Sequence, residues 1–174
     1  RRFAILQMKK KLRLHPRDRK DQLEHFIIKA VSQHGIARVT HSHVCVLADV
    51  SVSTVHFYYK RRQDLVNSAI RQVESFLIDM FDENLDRTSE VEALTDLAAA
   101  FVKEGFENPD LIKVWLDWSA GINQGVWLEY QNLLKRLHEK VRNVLTRSKR
   151  NGNLPANFDS MSATRLYIGS GHRS

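Results

Sequence analysis

The chain has 174 residues, 43% of them hydrophobic, enough to bury a real core and to form one domain or one plus a small appendage. One cysteine, Cys45, excludes an intramolecular disulfide framework, and no apolar run approaches the ~20 residues of a membrane span. Charge is uneven: residues 1–63 carry 14 Lys and Arg against 4 Asp and Glu, whereas residues 64–174 carry 13 against 16. A basic N-terminal third favours a polyanion, nucleic acid first and an anionic membrane second. Seven Gly and three Pro are few, and apolar residues return at three- and four-residue intervals, so the pattern predicts an all-α chain.

Residues 1–15 are expected to form a flexible basic arm carrying Lys9, Lys10, Lys11 and Arg13, with little to bury; the apolar run between Phe3 and Met8 is too short for a secretory signal. A first helix is predicted from Pro16, a good first-turn residue, with Leu23, Phe26, Ile27, Ala30 and Val31 on one face, ending at His34 before a Gly35 C-cap. A short second helix is predicted with Ser42 as N-cap and Val44, Cys45, Leu47 and Ala48 inward. A third, capped by Ser51, covers Val52 to Tyr58. Only Asp49, Val50 and Ser51 separate the two, the pattern of a helix-turn-helix within residues 16–62.

On the third helix Val52 and Val55 are predicted to face inward, leaving Ser53, Thr54, Phe57 and Tyr58 outward. Hydroxyls bond bases or phosphates, and an aromatic ring packs on a thymine methyl. Lys60, Arg61 and Arg62 follow where backbone phosphates would lie. The plain alternative makes Phe57 and Tyr58 core aromatics and Ser51 only a cap.

Residues 63–174 are read as a helical regulatory and dimerisation body. A continuous apolar stripe from Leu65 to Phe81 predicts one long helix over 62–85, joining head to body and able to transmit a ligand signal. Helices follow at about 90–106, 109–121, 124–149 and 158–168. Trp115, Trp118 and Trp127 group by periodicity with Phe76, Met80, Leu97, Phe101 and Tyr130, either as packed core or as the lining of a small-molecule pocket. No glycine-rich phosphate loop, nucleophile elbow or metalloprotease motif occurs, so neither an enzyme nor a cofactor is expected. His41, His43 and Cys45 are the nearest approach to a metal set, but alternate residues diverge on a helix and no metal is expected.

The stretch VSVSTVHFYYKRRQDLV from Val50 to Val66 resembles the DNA-binding domain of TetR-type transcriptional regulators. LIKVWLDWSA from Leu111 to Ala120, with Val126 and Trp127, resembles the branch of vibrio quorum-sensing master regulators, the LuxR/HapR type. The resemblance covers about residues 12–165. It implies a cytoplasmic, nucleoid-associated homodimer on a pseudo-palindromic operator in double-stranded DNA, with no membrane contact. Its implied DNA contacts fall on Ser51, Val52, Ser53, Thr54, His56, Phe57, Tyr58, Lys60 and Arg62, and its implied minor-groove arm on Lys9 to Arg13. There are departures. Asp49 stands where the turn usually has Gly, and His56-Phe57 stands where the branch has Phe-Asn, removing an amide that could read adenine. In the body, Leu134 and His138 replace an Asn and a Gln that line the branch's pocket, so any small-molecule ligand is expected to be more apolar or differently anchored. The resemblance also implies two long final helices for dimerisation, where residues 158–168 allow one short one. Either the tail is truncated, or the dimer surface is reduced to that helix and the one carrying Leu133, Leu137, Val141 and Leu145. The competing reading is a basic interaction module for an anionic membrane or protein partner, which would not need a Ser-Ser-Thr pattern before Tyr-Tyr-Lys.

Overall fold

A computed structural model describes residues 15–85, 89–121 and 124–168. Among these there is no strand, and the helices are α1 (Pro16–His34), α2 (His41–Ala48), α3 (Val52–Tyr58), α4 (Arg62–Leu85), α5 (Glu90–Glu107), α6 (Pro109–Ser119), α7 (Trp127–Arg150) and α8 (Ser160–Ile168), with a 3-10 turn at Gln124–Val126. The chain is all-α, as its periodicity implies. It forms two compact units, Arg1–Ile70 and Arg71–Ser174, whose boundary falls inside α4.

In the first unit α1 begins with Pro16 at a position where a missing N–H costs nothing, and buries Leu23, Ile27, Ile28, Ala30 and Val31. It stops at Gly35, whose N–H bonds the Val31 carbonyl at 2.8 Å and whose φ of 80° is one that side chains resist. α2 starts earlier than the Ser42 cap predicted: Thr40 is the N-cap. Its hydroxyl accepts from the His43 N–H while the His43 ring accepts from the Thr40 N–H, a capping box with histidine in the place usually taken by Glu or Gln. Val44, Cys45 and Ala48 are buried and Leu47 is half-buried. The turn to α3 runs through Asp49, which takes φ 53° and ψ 52°, the one non-glycine residue with positive φ among those described. Asp tolerates this left-handed conformation better than most residues, which is how the turn forms without the expected glycine.

The second unit is a helical body. α7 buries Leu133, Leu137, Val141, Val144, Leu145 and Ser148 along one face and carries its charges on the other. Three ion pairs run from that charged side, Arg136 to Glu74, Lys140 to Asp82 and Arg147 to Glu90, the last at 3.4 Å. Glu90, at the start of α5, is 5% exposed and accepts from the amides of Asn151 at 2.9 Å and Asn153 at 3.2 Å. It therefore ties α5 to the turn after α7, a connection the sequence did not suggest. The predicted helix over 109–121 ends at Ser119, with Gly121 at φ 69°. The predicted helix over 124–149 divides into the 3-10 turn and α7, and the last helix starts at Ser160 rather than at 158.

Candidate nucleic-acid interface

α3 is short, and Val55 is its one buried residue. Full burial of one valine contributes about 1.5–2 kcal/mol, too little to hold a two-turn helix whose isolated form would melt. Contacts at both ends do the rest. At the start Ser51 accepts from the Thr54 N–H at 3.2 Å, and its hydroxyl lies 2.8 Å from those of Ser53 and Thr54. Three of the predicted DNA-facing residues thus form one hydroxyl cluster, with Ser51 serving as the N-cap. At the other end Tyr59 is buried, and its carbonyl accepts from Nε2 of His41 at 2.7 Å. That bond fixes the proton of neutral His41 on Nε2, since a carbonyl only accepts.

The outward face is partly as expected. Ser53 and His56 are exposed, Thr54 and Tyr58 are half-buried, and Phe57 is 76% exposed with its ring edge-on to Tyr58 at 5.1 Å. Val52 departs from the prediction: it is 46% exposed instead of facing inward. It lies about 60° round the helix from Val55 and a turn earlier. An aliphatic group thus joins the outward set.

The cations separate into two kinds. Lys60 and Arg61 are exposed, and the Arg61 N–H bonds Asp64 at 2.8 Å. Arg62 is exposed as a whole, yet its guanidinium donates to the carbonyls of Ile36 at 2.7 Å and Ala37 at 3.3 Å. It stitches the start of α4 to the loop between α1 and α2, a task the sequence reading missed because 26 residues separate the partners. Lys9, Lys10, Lys11 and Arg13 lie outside the described residues.

Two pairs of stacked histidines occur in this unit: His34 on His43 at 3.6 Å and His41 on His56 at 3.9 Å between ring centroids, each within 13° of parallel. Burial first, and the neighbouring His34 second, hold the His43 ring below the ordinary histidine pKa. This suits its capping role, because a proton on Nδ1 would break the bond from Thr40. His41, His43 and Cys45 look to different neighbours, and burial pushes the Cys45 thiol up. Among the described residues no three His, Cys, Asp or Glu side chains gather as a metal set.

Two of the ten candidate pocket residues, Phe76 and Met80, meet at a cavity of about 740 Å³ that opens between α4 and α5, where Asp79, Glu83, Asp96, Lys103 and Glu104 also line the wall. Leu97 is fully buried elsewhere, Phe101 packs on Trp115 at 5.5 Å, and Tyr130 lies between Trp118 at 5.4 Å and Trp127 at 5.2 Å. Leu134 and His138 are half-buried on α7. Trp118 donates to the Val126 carbonyl at 2.8 Å, whereas Trp115 Nε1 and His138 Nε2 are enclosed with no hydrogen-bond partner among the described residues.

A capped two-helix motif on α1, followed by a helical body, can now be set beside known proteins. No family model matches the chain. It is 27% identical over 161 residues to the HTH-type transcriptional regulator LuxR of Vibrio harveyi, covering 90% of this chain and 77% of that one. Its fold matches a TetR-like regulator from Rhodococcus at TM-score 0.75 and 18% identity, over 91% of this chain and 82% of the other. The TetR family regulator PfmR of Thermus thermophilus matches at TM-score 0.72 and 16% identity, over 87% and 81%. The chain shares its fold with TetR-type regulators and is similar in sequence to LuxR. The transcriptional regulator FadR of Bacillus subtilis, solved with stearoyl-CoA, matches at TM-score 0.71 and 16% identity over 87% and 82%. These relatives are transcription regulators by name, and no helix among the described residues of the present chain is long and apolar enough to cross a membrane.

Proposed function

We propose that this protein regulates transcription by binding a pseudo-palindromic operator as a homodimer, with α3 reading base edges in the major groove. The observation that carries the reading is the outward face of α3: Ser53, Phe57 and Val52 are exposed and Thr54 half-exposed beside them, on a helix held at both ends. Uncharged hydroxyl, aromatic and aliphatic groups are what a helix needs to tell bases apart. Lys60 and Arg61, exposed beside it, supply attraction to phosphate without sequence preference. Tyr58 and His56 belong to the same surface, and the residues from Lys9 to Arg13 are the proposed minor-groove arm. The test is competition between a duplex selected by the protein and a scrambled one at fixed salt. Thr54→Ala and Phe57→Ala should each lose ~1–3 kcal/mol of discrimination while weak binding to scrambled DNA persists. Folded variants that keep the wild-type preference would remove α3 as the reader, and a basic module for a membrane or protein would then account better for the charge.

Two finer parts complete the reading. Exposed Met161 and Leu166 on α8, with Leu128 on α7, support a self-association surface made by these two helices. A quorum-sensing role with a ligand in the body is supported by the LuxR resemblance and by the enclosed polar atoms of Trp115 and His138, which a ligand could satisfy. The cavity between α4 and α5 falls in the size range of small-molecule sites, but four carboxylate residues against the one cation, Lys103, on its wall argue against an anion there.

A further inference from the structure

α3 has one side chain in the core, and a single anchor near the middle of a short helix fixes its place while leaving its rotation and tilt open. Ser51 restrains the first turn. Beyond its end Tyr59 is buried, and the last turn is further restrained from α2, by one residue making two contacts. His41, the first residue of α2, lays its ring on the ring of His56 at 3.9 Å and 12° from parallel, and donates from Nε2 to the Tyr59 carbonyl at 2.7 Å. The two contacts are of different kinds. The hydrogen bond fixes a backbone point just past the end of α3, and the stack fixes the direction in which that turn presents its side chains.

Resting on α3 as the reading helix, we propose that His41 and His56 are a positioning pair that sets the angle at which α3 presents Ser53, Thr54 and Phe57 to DNA. His56 acts through its ring face against His41 rather than by reading a base with its ring nitrogens. Stacking needs only a flat ring, whereas base reading needs a nitrogen at a set place, so the two roles separate by substitution. The pair is a feature of this chain's own residues, 15 positions apart in sequence.

The full chain is used, with a duplex recovered by the wild-type protein from a random library and a scrambled duplex of equal length as probes. His41→Ala and His56→Ala should each reduce the preference for the selected duplex by about tenfold, a decade being about 1.4 kcal/mol. Binding to the scrambled duplex should change less than about twofold, because its phosphate attraction is intact. The double variant should lose no more than the worse single one, as expected for groups that act as a unit. His56→Phe, which keeps a flat ring and no nitrogen, should restore most of the preference, and His41→Gln, which keeps a donor for Tyr59 without the stack, should fall between. Thermal melts identify any variant that fails to fold, and His56→Phe and His41→Gln then carry the comparison. Unchanged preference in His41→Ala would overturn the proposal, as would a His56→Phe variant as defective as His56→Ala. If Thr54→Ala and Phe57→Ala keep full preference while the histidine variants lose it, the reading of α3 fails and the pair acts on some other element, which also overturns it.

Discussion

Lys60 and Arg62 are two residues apart and carry the same charge, yet the structure gives them different work. Lys60 is free to follow a phosphate, so Lys60→Ala should flatten the dependence of log K on log salt by roughly one unit per protomer and leave stability unchanged. Arg62 holds the Ile36 and Ala37 carbonyls. Charge-assisted bonds of this kind are worth about 1.5–3 kcal/mol when enclosed, and the exposure of Arg62 discounts that to about 1 kcal/mol. Arg62→Ala should therefore lower the urea midpoint measurably, and its salt slope should move less than that of Lys60→Ala. Equal slopes and equal midpoints for the two variants would refute the distinction. Asp49 makes a similar point about what one residue can hide: it stands where a glycine is expected, and its backbone angles reveal that it does what glycine usually does.

At the scale of elements, Glu90 binds the start of α5 to the turn after α7. Its own backbone N–H, then the amides of Asn153 and Asn151 and the charge of Arg147, hold its carboxyl below the ordinary glutamate value of 4.5, against the opposing effect of burial. A lowered folded-state pKa means that the stability it lends is present above the ordinary value and is lost as pH falls through the lowered one. Acid titration of a wild-type melt should show that loss, and Glu90→Gln should remove the Glu90 component from the acid limb. Identical acid limbs would count against the latch. Most of the element pattern was legible: the limits of α1, α3 and α4 follow from Pro16, Gly35, Ser51 and an unbroken apolar stripe, all of them local signals. The misses have two causes. Thr40 outranks Ser42 because the ring of His43 stands in for the usual Glu or Gln of the box, a local signal in an unusual residue, whereas Arg62 and Glu90 bond partners far along the chain. Local propensity cannot register a contact whose other half is tens of residues away. The same limit affected the site: the outward hydroxyls of α3 were readable from periodicity, but the stack of His56 on His41 was not.

For the whole molecule the proposed homodimer sets the sharpest requirement, since two half-sites need two heads. Light scattering at micromolar concentration should return twice the chain mass, and Leu166→Asp, which places a charge on the exposed apolar side of α8, should shift it to the single mass with the helix content kept. Monomer mass for the unaltered protein, with and without DNA, would exclude the dimer. The distribution of aromatic residues across the two units has a use of its own. All three tryptophans, Trp115, Trp118 and Trp127, belong to Arg71–Ser174, whereas Arg1–Ile70 has Tyr58 and Tyr59 and no tryptophan. Indole fluorescence is thus an intrinsic optical label for the body alone, so a chemical unfolding curve followed by tryptophan emission and by far-ultraviolet dichroism reports whether the two units melt together or in sequence, with no dye or engineered probe.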